Sequence, residues 1–129
     1  MQSSQAKTKR GRLLVVDDEP QIGRTLRLLL EPEHEVVAVT SAREALDRIS
    51  RNEHFDIILC DLMMPEMTGS DLYDALSRLG KDVAARLVFM TGGVFNQRTQ
   101  EFLDKIPNER VDKPFDMGAL QDLIRRYVR

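Results

Sequence analysis

The 129-residue chain has one cysteine, no tryptophan, and aromatic residues at only 5% of its length. A lone Cys60 cannot close an internal disulfide, so nothing points to an oxidising compartment and a cytoplasmic setting is expected. Long hydrophobic runs are also missing. The longest apolar runs are four residues, at 13–16, 36–39, 57–60 and 87–90. A bilayer span needs about 20 apolar residues and a secretory leader needs a continuous apolar core, so neither is expected. With few aromatics and no cluster of basic residues beyond the N-terminus, there is no nucleic-acid footprint, and direct binding of DNA or RNA is not expected. No internal repeat or low-complexity stretch interrupts the chain.

What remains is an ordinary globular composition, 42% hydrophobic and 31% charged, at a length that suits one domain. A chain of this size buries roughly two-thirds of its unfolded surface, enough for one sizeable core. Charge is uneven. Residues 1–12 carry Lys7, Lys9, Arg10 and Arg12 and no acid, so the rest of the chain is more acidic than the net charge of −2 suggests. Residues 1–11 are expected to form a basic, solvated tail or linker, and 12–129 a single domain.

Beyond the tail, short β-branched runs alternate with stretches whose apolar residues recur at helical spacing. Strands are expected at 12–16, 35–40, 56–60 and 86–90, with a weaker one at 110–111. Between them, apolar faces form from Ile22, Leu26, Leu29 and Leu30, from Ala42, Ala45, Leu46 and Ile49, and from Leu72, Ala75, Leu76 and Leu79. Phe95, Thr99, Phe102, Leu103 and Ile106 make a fourth face, and Leu120, Leu123, Ile124, Tyr127 and Val128 a fifth. Start signals agree: Pro20 suits a first helical turn, Ser41 with Glu44 and Thr68 with Asp71 match capping boxes, and Asp116 can cap the last helix. Four-residue apolar strands separated by helices fit a parallel sheet buried on both faces by right-handed crossovers. The expected architecture is a three-layer, doubly wound α/β fold with a five-stranded parallel sheet in the order 2-1-3-4-5, as in flavodoxin-like proteins.

The polar residues carry chemistry because they stand where strands run out. Asp17 and Asp18 follow the first strand, Asp61 the third, Thr91 the fourth, and Lys113 with Pro114 the fifth. In the 2-1-3-4-5 order these four strands are neighbours, so the groups converge at one crevice. Three carboxylates in one place repel, and burying them without a counter-charge would force protonation, so a cation belongs among them. An all-oxygen donor set favours a hard ion, and Mg²⁺ over Ca²⁺ where few carboxylates are supplemented by water and phosphate. A carboxylate nucleophile, a metal, a lysine and a hydroxyl make a set suited to phosphoryl transfer.

At these residues the sequence resembles the receiver domains of bacterial response regulators and hybrid sensor kinases. The likeness covers residues 12–129. It rests on Val15-Val16-Asp17-Asp18-Glu19, on Asp61-Leu62-Met63-Met64-Pro65 with Gly69, on Met90-Thr91-Gly92-Gly93, and on Asp112-Lys113-Pro114-Phe115. Any one motif is weak; all four in order are specific. The resemblance implies that Asp61 accepts phosphate from the phosphohistidine of a histidine kinase or histidine phosphotransfer protein. It implies Mg²⁺ bound by Asp18, Asp61 and the backbone carbonyl of Met63, with Asp17 acting through water. Lys113 would bind Asp61 or its phosphate, Thr91 would move to hydrogen-bond the phosphate, and the Lys113–Pro114 peptide would be cis.

Each residue also has a duller reading. Acids begin helices, Asp is common in turns, a threonine before two glycines is turn chemistry, and a lysine before proline is ordinary surface. Only their joint occurrence argues for a site. Cys60 reads as a buried small hydrophobe, and His34 and His54 as surface residues at the far end of the sheet. An aspartate-nucleophile, Mg²⁺-dependent phosphatase is the alternative function, but that superfamily usually places a second Asp where this chain has Met63. A flavin or nucleotide binder would need a glycine-rich phosphate loop after the first strand, which here is acidic.

The chain departs from the family at three tuning positions. Met63 and Gly93 cannot orient an attacking water, so slow self-dephosphorylation is expected. Many receivers carry an aromatic switch three residues before the lysine, where this chain has Arg110. A guanidinium is costly to bury unpaired, so Arg110 is expected to stay outside, giving a weak rearrangement and little phosphorylation-driven dimerisation, and the unphosphorylated protein is expected to be a monomer. The Thr91-Gly92-Gly93 run and the brief C-terminus resemble receivers that end hybrid sensor kinases.

Overall fold

The computed structural model describes residues 9–93 and 96–128. Five parallel strands stand in the order β2-β1-β3-β4-β5: β1 Arg12–Val16, β2 Glu35–Val39, β3 Ile57–Asp61, β4 Leu87–Thr91 and β5 Arg110–Asp112. The helices are α1 Pro20–Leu30, α2 Ala42–Ser50, α3 Gly69–Leu79, the single turn α4 Lys81–Ala84, α5 Gln97–Asp104 and α6 Met117–Tyr127. Alternate strand residues separate into two cores. Leu14, Val16, Ile58, Cys60 and Phe89 meet α2, α3 and α5 on one face, while Leu13, Val15, Leu59, Val88 and Met90 meet α1 and α6 on the other. This is the expected three-layer sandwich, with Cys60 fully buried.

Local signals work as expected at most helix starts. Pro20 occupies the first turn of α1, Thr68 and Asp71 form a complete capping box, and Asp116 accepts a hydrogen bond from the Ala119 amide. Ser41 caps α2 through the Glu44 amide alone, without the reciprocal bond.

Several expectations need correction. Strands β3 and β4 each begin and end one residue later than expected, because backbone pairing with neighbouring strands carries Asp61 opposite Met90 and Thr91 opposite Asp112. Thr40 lies outside β2, and α4 was not expected at all, being too short to show a period. Leu29 and Leu79 point to solvent, and Gly23 takes the buried place on α1. A Cβ there would stand 2.8 Å from that of Ala38. Phe95 lies outside the described residues.

His34 is not a surface residue: it is 1% exposed, and its Nδ1 accepts a 3.0 Å hydrogen bond from the Gly11 amide. Burial holds its pKa below the ordinary histidine value, so the ring stays neutral and able to accept. Gly11 is itself buried, and a Cβ there would collide with Val128. Arg10 adds a hydrogen bond to the Glu31 carbonyl. Among the described residues, no helix is long and apolar enough to cross a membrane.

Candidate phosphoacceptor site

Strand geometry sets the site. Parallel strands place their C-terminal ends at one edge of the sheet, and β1, β3, β4 and β5 are adjacent there. Asp17 follows β1, its amide held by the Val39 carbonyl at 3.2 Å. Asp61 closes β3. The helix after it starts so close that a Cβ on Gly69 would stand 2.9 Å from the Asp61 carbonyl oxygen and 3.0 Å from the Leu62 Cα. Only glycine allows α3 to lie against the end of that strand.

The three carboxylates do converge: one oxygen from each of Asp17, Asp18 and Asp61 lies within 4.8 Å of the others. Their surroundings differ. Asp17 is buried and both its oxygens are engaged, Oδ1 by the Glu19 amide at 2.9 Å and Oδ2 by Lys113 Nζ at 2.7 Å. Asp18 is exposed. Asp61 is buried except for a side chain 13% exposed, the opening an incoming group would need. Burial, then the charge of Asp17, pushes the Asp61 pKa above the ordinary carboxylate value against the pull of Lys113.

Lys113 Nζ lies 2.7 Å from Asp17 and 3.6 Å from Asp61. The ammonium thus sits nearer the more buried carboxylate, where unscreened charge is most costly. Burial disfavours its charge, but the Asp17 hydrogen bond and the Asp61 charge outweigh that, and its pKa stands above the ordinary lysine value. The Lys113–Pro114 peptide is cis. Thr91 is buried at the end of β4, and its hydroxyl donates to Asp112 Oδ1 at 2.8 Å.

A cleft of about 590 Å³ opens over these groups, lined by Asp61, Met63, Thr91, Gly92, Gly93 and Lys113 among others. Met63 is 53% exposed on its rim. Gly93 has φ +131°, a conformation that side chains rarely adopt. Arg110 is exposed on the edge strand, outside this cleft. The donor set passes the chemical test for a hard cation: oxygen ligands only, an excess of like charge, and one carboxylate already pushed toward protonation.

Comparison with known proteins decides the family. The model of the response regulator receiver domain matches residues 13–125. The chain belongs to that family. The receiver is 33% identical over 116 residues to an uncharacterized 14.6 kDa protein of Leptolyngbya boryana, covering 89% of this chain and 88% of that one. It is 30% identical to the transcriptional regulatory protein KdpE of Mycobacterium tuberculosis, covering 91% of this chain but only 50% of the relative. Among solved structures, the receiver domain of a Pseudomonas aeruginosa sensor histidine kinase, with magnesium coordinated in its active-site cleft, superposes with a TM-score of 0.76 at 21% identity. That match covers 92% of this chain and 97% of the other. A response regulator receiver domain of Clostridium thermocellum reaches a TM-score of 0.79 at 24% identity, covering 91% and 93%. This receiver therefore has the fold of both.

Two residues stand in the sequence motifs without a role read from them: Asp112, whose carboxylate accepts a hydrogen bond from the Thr91 hydroxyl, and Glu19, whose amide donates to Asp17. For Asp112 a signal existed. It precedes Lys113, so strand alternation turns it to the opposite face, beside the residue it pairs with across β4 and β5.

Proposed function

We propose that this receiver takes a phosphoryl group onto Asp61 from the phosphohistidine of a histidine kinase or histidine phosphotransfer protein. A carboxylate oxygen of Asp61 forms the new P–O bond while the P–N bond of the donor breaks, and the released imidazole takes up a proton from solvent. Asp18, Asp61 and the Met63 carbonyl would hold Mg²⁺, with Asp17 contributing through water. Bound there, the ion supplies the positive charge that lets an anionic donor approach the cluster. Lys113 neutralises oxygens of the phosphoryl group, and Thr91 turns its hydroxyl toward one of them.

The observation that carries this reading is the convergence of three carboxylates within 4.8 Å, with the Lys113 ammonium between Asp17 and Asp61. A turnover phosphatase is disfavoured because Met63 stands where a second catalytic carboxylate would be needed. The protein works in the cytoplasm, as a monomer before phosphorylation, and Arg110 stays outside as the switch operates.

Intact-mass analysis after treatment with acetyl phosphate tests the chemistry. One added phosphate with Mg²⁺, none in chelator and none in Asp61→Ala is the expected outcome. Labelling that persists in Asp61→Ala would refute the assignment.

A further inference from the structure

The Thr91 hydroxyl has one proton to donate, and in this structure it gives it to Asp112 Oδ1 at 2.8 Å. Thr91 and Asp112 are register partners across β4 and β5, so their side chains share a face of the sheet. The next residue, Lys113, turns the other way to reach Asp17 and Asp61, and its amide donates to the Thr91 carbonyl at 2.8 Å. One dipeptide therefore contacts both the hydroxyl and the carboxylates of the site. Asp112 holds the hydroxyl, and Lys113 holds the carboxylates.

A hydroxyl bonded to a carboxylate makes a charge-assisted hydrogen bond, stronger than a neutral one. The phosphoryl oxygens of a phosphorylated Asp61 offer a second anionic acceptor for the same proton, and Thr91 cannot serve both. We infer that Asp112 is a positioning residue that competes with the aspartyl phosphate for Thr91, setting the fraction of phosphorylated molecules in which the hydroxyl has switched. Asp112 is exposed and makes no other side-chain hydrogen bond among the described residues, so water can solvate it once Thr91 leaves. The competition then lies between two anions for one donor, and the balance is set by Asp112. The inference rests on the proposed roles of Asp61 and Thr91.

The test is the affinity of the Mg²⁺-loaded protein for beryllofluoride, with the ¹³C methyl resonance of Thr91 as a second readout. Asp112→Ala is expected to bind about tenfold tighter, the ratio that about 1.4 kcal/mol represents. Its Thr91 methyl should move, before any ligand is added, toward the liganded position. Asp112→Asn keeps an acceptor oxygen without the charge and should fall between Asp112→Ala and the parent chain. In a Thr91→Val background, removing Asp112 should change nothing. An equal gain in that background would show that Asp112 acts only as a remote negative charge, and unchanged or weaker binding by Asp112→Ala would show that it does not compete. Either overturns the inference. Beryllofluoride binding that survives in Asp61→Ala would instead overturn the reading of the site itself.

Discussion

Removing the charge of Asp61 should stabilise the metal-free domain. The Asp61 carboxylate meets Asp17 within 4.8 Å, a repulsion of about 3 kcal/mol at an effective dielectric of ~20. Lys113 Nζ at 3.6 Å returns roughly 4 to 5 kcal/mol in the same medium. Exposed Asp18 adds about 1 kcal/mol of repulsion, nearer its value in water, and burying a carboxylate adds a few more. The balance is a penalty of about 1 to 2 kcal/mol, agreeing in sign with the raised pKa of Asp61. In Asp61→Asn the pair between Lys113 and Asp17 survives, so the variant should melt about 3 to 8 °C above the parent chain in chelator. Mg²⁺ at a hundredfold excess over its Kd should raise the parent by about 2.7 kcal/mol and the variant far less, reversing the order. The pH dependence follows the same sign. Asp61 has a folded pKa above its unfolded one, so its destabilising charge is present above the folded value and is relieved as pH falls through it. The advantage of Asp61→Asn should therefore shrink in acid. Thermal denaturation followed by circular dichroism checks all of this, and a variant melting at or below the parent in chelator would refute the reasoning.

Met63→Asn puts a hydrogen-bonding amide on the cleft rim where Met63 is now 53% exposed, and should speed loss of the aspartyl phosphate severalfold; intact-mass decay curves that are unchanged or slower contradict this. His34→Asn keeps an acceptor near the place of Nδ1 but cannot titrate. Because the folded pKa of His34 is lowered, the parent should lose stability as pH falls below about 6.5 toward that value, and urea denaturation should show a smaller loss between pH 7 and 5 in the variant. Gly69→Ala drives a Cβ against the backbone of Asp61 and Leu62 and should cost about 1 to 3 kcal/mol in urea unfolding, with slower phosphorylation of Asp61.

Much of the molecule is legible in the sequence because burial on both faces writes strands as short continuous apolar runs. Residues 13–16 and 57–60 are buried without interruption, as the strands of a parallel sheet covered on both faces require. Strand ends are less legible: Asp61 and Thr91 are polar, yet backbone pairing carries the sheet through them. Helical faces fail where glycine replaces a side chain, as at Gly23, or where a leucine lies past the contact, as at Leu29 and Leu79. His34 is hidden for another reason. Its burial depends on an acceptor matching one backbone amide 23 residues earlier, a pairing with no periodicity. The site residues can be named from the four motifs, but the choice of Lys113 between Asp17 and Asp61 cannot, since it depends on which carboxylate is more deeply buried.

The placement of the site across the sheet divides its labour. Asp17 and Asp61 stand at the ends of β1 and β3, the middle strands, whose apolar residues are buried and whose neighbours pair on both sides. A nucleophile so placed is fixed before a donor arrives, and the entropy of positioning it is already lost in folding. Thr91 and Lys113 stand at the junction with β5, a three-residue edge strand in which Arg110 and Asp112 are exposed and only Val111 is partly covered. Edge segments with few buried contacts rearrange at the lowest free-energy cost in a fold. Lys113 follows this lightly packed edge, whereas Thr91 ends the buried strand β4 and faces it. Arg110, a charge on that edge in place of an aromatic ring, keeps its guanidinium in solvent, where an unpaired charge costs least.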